Sequence, residues 1–284
     1  MADKIFGVCG SGTMGVGIAY AAAAAGYSVR LYDLNEEILE RGMGIVGKFL
    51  AKGLERGKIT AEAADAIREN IVPTTDLASF AGAYVVVEAI IERLDVKQDL
   101  FTRIEEIVDA DTILATNTSS LAVTEIANGL KHPERVVGMH FFNPAHIMKL
   151  VEVVEGFRTS DDVMKKTADL SRELGKSPVR AADTPGFIVN RVARNFYGEA
   201  FRIVGEGAGT HDQIDRALKS VGFRMGPFEL MDLIGVDVNF AVTQSVYDQY
   251  FNEARFRPHL IQKKMVESGR LGKKSGGGFY EDGK

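Results

Sequence analysis

Cysteine is nearly absent: Cys9 is the only one in 284 residues. It can form no intrachain disulfide, and its place between Val8 and Gly10 in an apolar run reads as a small buried hydrophobe, which fits a reducing compartment. Long apolar runs are absent too. The longest, Ile18 to Ala25, is Ala-rich and covers about eight residues where a bilayer-crossing helix needs ~20. The chain opens without a basic segment leading into a cleavable apolar stretch, so the expected address is cytoplasmic, with no membrane association. Charge of one sign is not gathered anywhere: 34 Lys plus Arg against 39 Asp plus Glu give a net charge of −5, which argues against a dedicated nucleic-acid binder. No fixed-period repeat or long low-complexity segment occurs. What is present is 45% apolar and 26% charged residues, a globular composition. At ~150 residues per domain the length suggests about two domains.

Ile5-Phe6-Gly7-Val8-Cys9 reads as a buried strand, Met14 to Ala25 as a helix closed by Gly26, and Ser28 to Tyr32 as a second strand. Helical patterns follow at Glu36 to Leu54 and at Ala61 to Asn70, the latter with Thr60 as N-cap. Further strands are expected at Tyr84 to Glu88, Ile113 to Thr116, Val136 to His140, Leu150 to Val154 and Ser177 to Arg180. Helices at Val96 to Val108, Val123 to Ala127 and Val163 to Leu174 come between them. Such alternation specifies an α/β domain, a Rossmann-type, mostly parallel sheet with helices on both faces. After Asp183-Thr184-Pro185-Gly186 strand signals stop. Ile188 to Val204, His211 to Ser220, Phe228 to Tyr250 and His259 to Glu267 carry helical spacing, and the tail around Gly276-Gly277-Gly278 is too glycine-rich for a helix. The expected division is residues 1–184, a dinucleotide-binding domain, and 185–284, an all-α domain.

Gly10-Ser11-Gly12-Thr13-Met14-Gly15 is a G-x-G-x-x-G directly after a strand and opening a helix, the context that gives this motif meaning. Gly10 permits the tight turn, Gly12 lets backbone approach a pyrophosphate at the positive end of the helix, and Gly15 lets helix and strand pack closely. Asp33, about 18 residues beyond Gly15, ends the second strand, where a carboxylate accepts from ribose hydroxyls and repels a 2′-phosphate; NAD is expected over NADP.

Later strands also end in polar residues: Glu88, then Asn117-Thr118-Ser119-Ser120, then His140. Ligands of open parallel sheets bind outside the carboxyl ends of the strands, so His140 stands where a neutral imidazole could take a hydroxyl proton as hydride leaves the same carbon. Taken alone it is as readily a structural histidine. Glu152 lies in the alternating run Leu150-Val151-Glu152-Val153-Val154, on the face of Leu150 and Val154. A carboxylate buried there needs a partner, and His140 is the natural one, although a Glu on the open face of an edge strand fits the pattern as well.

Asn117-Thr118-Ser119-Ser120-Leu121, Gly138-Met139-His140-Phe141-Phe142-Asn143-Pro144, Lys149-Leu150-Val151-Glu152, Thr184-Pro185-Gly186-Phe187-Ile188-Val189-Asn190-Arg191 and the Gly-Lys-Lys-Ser-Gly tail together resemble the L-3-hydroxyacyl-CoA dehydrogenase family. The similarity is greatest to its shorter bacterial 3-hydroxybutyryl-CoA dehydrogenase type and runs from the glycine loop to Tyr280. It implies an NAD-dependent oxidation of a 3-hydroxyacyl-CoA to a 3-oxoacyl-CoA, with His140 as general base, Glu152 as its partner, and Ser119 and Asn190 on the reacting oxygen or the substrate. It implies a cofactor set of Gly10, Gly12, Thr13, Met14, Gly15, Asp33, Glu92, Lys97, Asn117, Ser119, Asn143 and Lys274, no metal, an active site in the cleft between domains, and a homodimer through the second domain. One departure is visible: Ala145-His146 follows Asn143-Pro144 where such families often carry proline, and His146 is expected to be an exposed loop residue. Lys48, Lys52, Arg56 and Lys58 are candidates for the phosphorylated adenosine of coenzyme A, of which Lys52 and Arg56 are singled out, although lysines on a solvated helix face give the same pattern.

Short acyl chains are the first expectation. A dicarboxyl substrate such as 3-hydroxyadipyl-CoA is the main alternative, since Val236 to Phe240 and Arg255 to His259 resemble members of a phenylacetate-degradation branch; Arg255 or Arg257 would then meet the distal carboxylate. A free 3-hydroxy-acid dehydrogenase, which uses lysine for proton transfer, and a crystallin-like protein that keeps the fold without turnover are the remaining readings. Apolar Phe228, Leu230, Leu233, Ile234, Phe240 and Val242 exceed what one helix face needs, as in a bundle core or a subunit contact.

Overall fold

The computed structural model describes residues 4–281, and the chain separates into two compact units, Met1–Thr184 and Pro185–Lys284. In the first, strands and helices alternate: β1 (Ile5–Cys9), α1 (Thr13–Ala24), β2 (Ser28–Tyr32), α2 (Glu36–Glu55), α3 (Ala61–Asn70), β3 (Ile71–Thr74), β4 (Ala83–Glu88), α4 (Leu94–Glu105), β5 (Ile113–Thr116), α5 (Val123–Ile126), β6 (Val136–Phe141), β7 (Leu150–Glu155), α6 (Asp161–Glu173) and β8 (Ser177–Ala182). Several helix starts are written locally. Asn35, Thr60 and Ser160 cap α2, α3 and α6 by accepting from the backbone N–H of Ile38, Ala63 and Val163, each cap contributing about 1 kcal/mol.

The eight strands form one sheet in the order β3-β2-β1-β4-β5-β6-β7-β8. Strands β1 to β6 pair in parallel, β7 runs antiparallel to β6, and β8 follows β7 in parallel. The chain switches direction across the sheet between β1 and β4, where open α/β sheets bind ligands. Strands β4, β5 and β6 are almost wholly buried, as in a sheet covered on both faces. β3, not expected from the sequence, contains Pro73, which the ladder tolerates because β3 is an edge strand.

The second unit contains α7 (Val189–Gly205), α8 (His211–Ser220), α9 (Pro227–Ile234), α10 (Val236–Gln249) and α11 (Leu260–Glu267), around a core of Tyr197, Ala200, Phe201, Ile214, Phe228 and Met231. The single helix expected over Phe228 to Tyr250 is two, because Gly235 takes φ 101° and breaks it. Among the described residues, the unit's only β pairing is the isolated bridges of the glycine-rich tail, and no helix of the chain is long and apolar enough to cross a membrane. Asp232 fastens that tail by accepting from the backbone N–H of Phe279 and Tyr280.

Candidate active site

The glycine loop leaves β1 at the switch point and enters α1. Gly10 has φ 97°, and a Cβ there would lie 2.5 Å from the Ala89 carbonyl oxygen; one at Gly15 would lie 1.8 Å from the Gly10 carbonyl oxygen. A Cβ at Gly12 would meet nothing within 4 Å, so the loop has open space in front of it. Gly12 is also the N-cap of α1 and supplies no side-chain acceptor, which leaves the first N–H groups of the helix directed at that space. Thr13 and Met14 form the first helical turn. This cradle fits a dinucleotide pyrophosphate, which would supply the missing acceptors. Asp33 stands beside it: its Oδ2 accepts from Ser11 N at 2.7 Å and Ser11 Oγ at 2.8 Å, and Oδ1 from Leu34 N at 2.8 Å. Each carboxylate oxygen keeps further accepting capacity, so the anchored group can still take a ribose hydroxyl.

Beyond β4 lies an ionic cluster that is buried at Glu88 and Lys97 and opens to solvent at Glu92. Lys97, on α4 and 1% exposed, reaches Glu88 and, at 3.1 Å, Glu92. Glu88 also accepts from Ile90 N at 2.8 Å and Thr116 Oγ1 at 2.7 Å, which ties β4 to β5. Glu92 Oε1 collects Thr118 Oγ1, Ser119 N, Ser120 N and Ser120 Oγ at 2.6, 2.9, 3.1 and 3.0 Å. Burial pushes the Glu92 carboxyl up, but the Lys97 charge and the bonds from Thr118 and Ser119 outweigh it and hold the group below the usual carboxylate range. The loop after β5 is thereby wrapped around one oxygen. Ser119 is half-buried there, and its hydroxyl has no partner among the described residues. Asn117 Oδ1 accepts from Phe141 N at 2.9 Å and so links β5 to β6.

His140 and Glu152 meet because of strand register. The antiparallel pairing of β6 with β7 sets the two residues directly opposite each other, where side chains share a face. His140 Nδ1 lies 2.8 Å from Glu152 Oε2, with His140 5% and Glu152 1% exposed. A carboxylate on Nδ1 places the imidazole proton there and leaves Nε2 as the basic nitrogen.

The loop joining these strands carries Asn143, exposed and joined to Pro144 by a cis peptide bond. His146 is not the exposed loop residue expected. It is half-buried, stacked on Phe49 of α2 at 3.7 Å between ring centroids and edge-on to Tyr20 of α1, because the loop folds back over both helices. Lys176, which the sequence did not single out, holds that fold: its ammonium donates to the carbonyls of Ala145 and Met148. Nothing in a lone lysine after a helix signals that role. Glu88 was visible as a polar strand end, but its tie to Lys97 needed the fold. Lys52 and Arg56 are exposed at the end of α2, as are Lys48 and Lys58. In the second unit, Asn190 is the second residue of α7, half-buried, with no side-chain partner among the described residues. Lys274 forms an ion pair with Asp237 at 2.6 Å, and Arg255 and Arg257 are exposed.

Known proteins are similar to this chain in sequence and fold. Residues 5–184 match the 3-hydroxyacyl-CoA dehydrogenase NAD binding domain, and residues 186–282 match the C-terminal domain of 3-hydroxyacyl-CoA dehydrogenase. A 3-hydroxyadipyl-CoA dehydrogenase of Escherichia coli is 50% identical over 96% of this chain, which spans 58% of that protein's length. A probable 3-hydroxybutyryl-CoA dehydrogenase of Deinococcus radiodurans is 42% identical over 97% of this chain and 99% of its own. The crystal structure of an (S)-3-hydroxybutyryl-CoA dehydrogenase from Ralstonia eutropha superposes with a TM-score of 0.94 at 35% identity, covering 99% of both chains. With the glycine cradle, the histidine–carboxylate pair and both domain matches in place, the chain belongs to the 3-hydroxyacyl-CoA dehydrogenase family of oxidoreductases.

Proposed function

We propose that the chain is an NAD-dependent L-3-hydroxyacyl-CoA dehydrogenase that interconverts a short-chain 3-hydroxyacyl-CoA and its 3-oxoacyl-CoA. The observation that carries this reading is the buried His140–Glu152 pair. In the oxidative direction His140 Nε2 takes the proton of the substrate hydroxyl while Glu152 balances the imidazolium. Ser119 and Asn190, uncharged donors with unspent hydrogen-bonding capacity, steady the oxygen as charge develops on it without competing for its proton. The bound nicotinamide dinucleotide supplies the hydride acceptor. The N–H groups of the loop from Gly10 through Thr13 and Met14 to Gly15 hold its pyrophosphate, and Asp33 holds the adenosine ribose, which favours NAD over NADP. Glu92 and Lys97 serve the cofactor side by fixing the 118–120 loop, with Asn117, Asn143 and Lys274 as further contacts. We assign Lys52 and Arg56, exposed cations at the end of α2, to the coenzyme A phosphates.

The identity to an enzyme named for 3-hydroxyadipyl-CoA favours a second reading of the acyl group, a six-carbon dicarboxylate in place of a four-carbon chain. Exposed Leu233, Ile234, Val238 and Phe251 support a homodimer through the second unit. We place the enzyme in the cytoplasm, where the buried Cys9 stays reduced. The test is NADH absorbance with acetoacetyl-CoA, free acetoacetate, and NADPH in place of NADH. Turnover that requires the thioester and prefers NADH supports the assignment, and equal rates with the free acid overturn it.

A further inference from the structure

Resting on the dehydrogenase reading above, we propose that Arg194 recognises the end of the acyl chain, so that the preferred substrate is a 3-hydroxyacyl thioester of a six-carbon dicarboxylic acid. Arg194 lies on α7 one turn beyond Asn190 and is 4% exposed. Its Nε donates to the Asn190 carbonyl at 3.1 Å, and Nη1 donates to the Asn239 carbonyl at 2.9 Å and to Thr243 Oγ1 at 2.7 Å. Every acceptor is neutral, and Nη2 has no hydrogen-bond partner among the described residues. The guanidinium otherwise rests on the Tyr197 ring, 5.1 Å from its centroid.

A buried cation without a counter-charge is strongly unfavourable, and burial lowers this one from the usual arginine range to about 10. A ligand carboxylate removes the imbalance. Arg194 also borders a cavity of about 10 Å³, room for about one oxygen atom, whose lining includes Tyr197, Thr243, His259 and Gln262 and no acidic side chain. Arg255 and Arg257 line it as well but are exposed, so water already solvates their charge.

The Asn190 carbonyl accepts from Arg194 Nε, so the guanidinium lies beside the turn that carries Asn190. The carbon bearing the reacting oxygen and a C6 carboxyl lie three C–C bonds apart, roughly 4 Å, so a six-carbon diacid brings its carboxylate within reach of such a neighbour. A four-carbon chain ends in a methyl group and offers Nη2 nothing.

The experiment compares kcat/KM for 3-oxoadipyl-CoA and acetoacetyl-CoA, with NADH, in the wild type and in Arg194→Gln. The wild type should favour the dicarboxyl substrate by about tenfold or more, and the substitution should lower that ratio at least tenfold. A wild-type ratio near one, or equal losses on both substrates, overturns the proposal. Because the variant can fail to fold, binding of adipyl-CoA and hexanoyl-CoA to the wild type is measured by calorimetry: adipyl-CoA at least tenfold tighter supports the role of Arg194, and equal affinities overturn it. Failure to turn over either substrate counts against the dehydrogenase reading, and the binding comparison still decides the carboxylate site.

Discussion

The two units treat buried charge differently. In the first, Lys97 faces Glu88 and Glu92, Arg135 faces Glu105, and His140 faces Glu152, so opposite charges meet across neighbouring strands and loops; Lys176, which serves two carbonyls, is an exception. In the second, Asp215 and Asp232 accept chiefly from backbone N–H groups, and Arg194 donates to neutral oxygens. Paired charges tie α4 to β4 and its following loop and β6 to β7, whereas the lone acids staple chain segments. Asp215 caps α9 through Phe228 and Glu229 and also takes the Tyr280 hydroxyl at 2.8 Å. Burial raises its carboxyl above the ordinary range, against the pull of those three bonds. Arg194 is a buried cation that meets only neutral acceptors and keeps Nη2 unspent, which is why the second unit carries the specificity proposal and the first the mechanism.

Removing one member of a pair should do the most damage. Lys97→Met leaves Glu88, 0% exposed, without its cation, and urea denaturation should record a loss of about 3–5 kcal/mol. A loss below about 1 kcal/mol would show that the pair contributes no more than a surface ion pair. Glu152→Gln keeps the shape of the His140 pair but removes the charge that balances imidazolium, and kcat should fall on the order of 10²-fold or more with a smaller change in KM. In the second unit the corresponding change is milder. Asp215→Asn substitutes an amide for an acceptor of two backbone N–H groups, and thermal unfolding should report a cost of about 1–3 kcal/mol.

The smallest effect concerns His146. Burial, followed by the nearby charges of Lys176 and Lys52, holds its imidazole below the ordinary histidine range. A base whose folded pKa is depressed contributes fully above its unfolded value, about 6.5, and that contribution is lost as pH falls through the folded value. His146→Phe retains the stack on Phe49 and removes the titration, so the fall in Tm between about pH 7 and pH 5 should shrink. An unchanged slope would assign that pH dependence to other groups.

Much of this was legible in the chain. The β1–α1–β2 unit was readable because strand, glycine loop, helix and acidic strand end lie within about 30 residues, and each is a local signal. Glu152 was readable because a carboxylate in an alternating apolar strand needs a partner. What local pattern lacked was register and long-range packing. The reversal of β7 sets Glu152 opposite His140, and no residue in either strand encodes strand direction. Pro73 concealed β3, since proline in a strand is acceptable only once the strand is known to be at an edge. His146 looked exposed because Phe49 and Tyr20, the rings that cover it, are remote in sequence. Arg194 looked like any helical arginine, and its burial depends on α10 lying against α7.

The central claim is that the histidine held by Glu152 does the proton chemistry. Its most direct test is kcat for NADH-dependent reduction of acetoacetyl-CoA by His140→Gln, measured beside the NADH dissociation constant. The account predicts a fall in kcat on the order of 10²–10⁴ with NADH affinity little changed. Turnover equal to that of the wild type would contradict it.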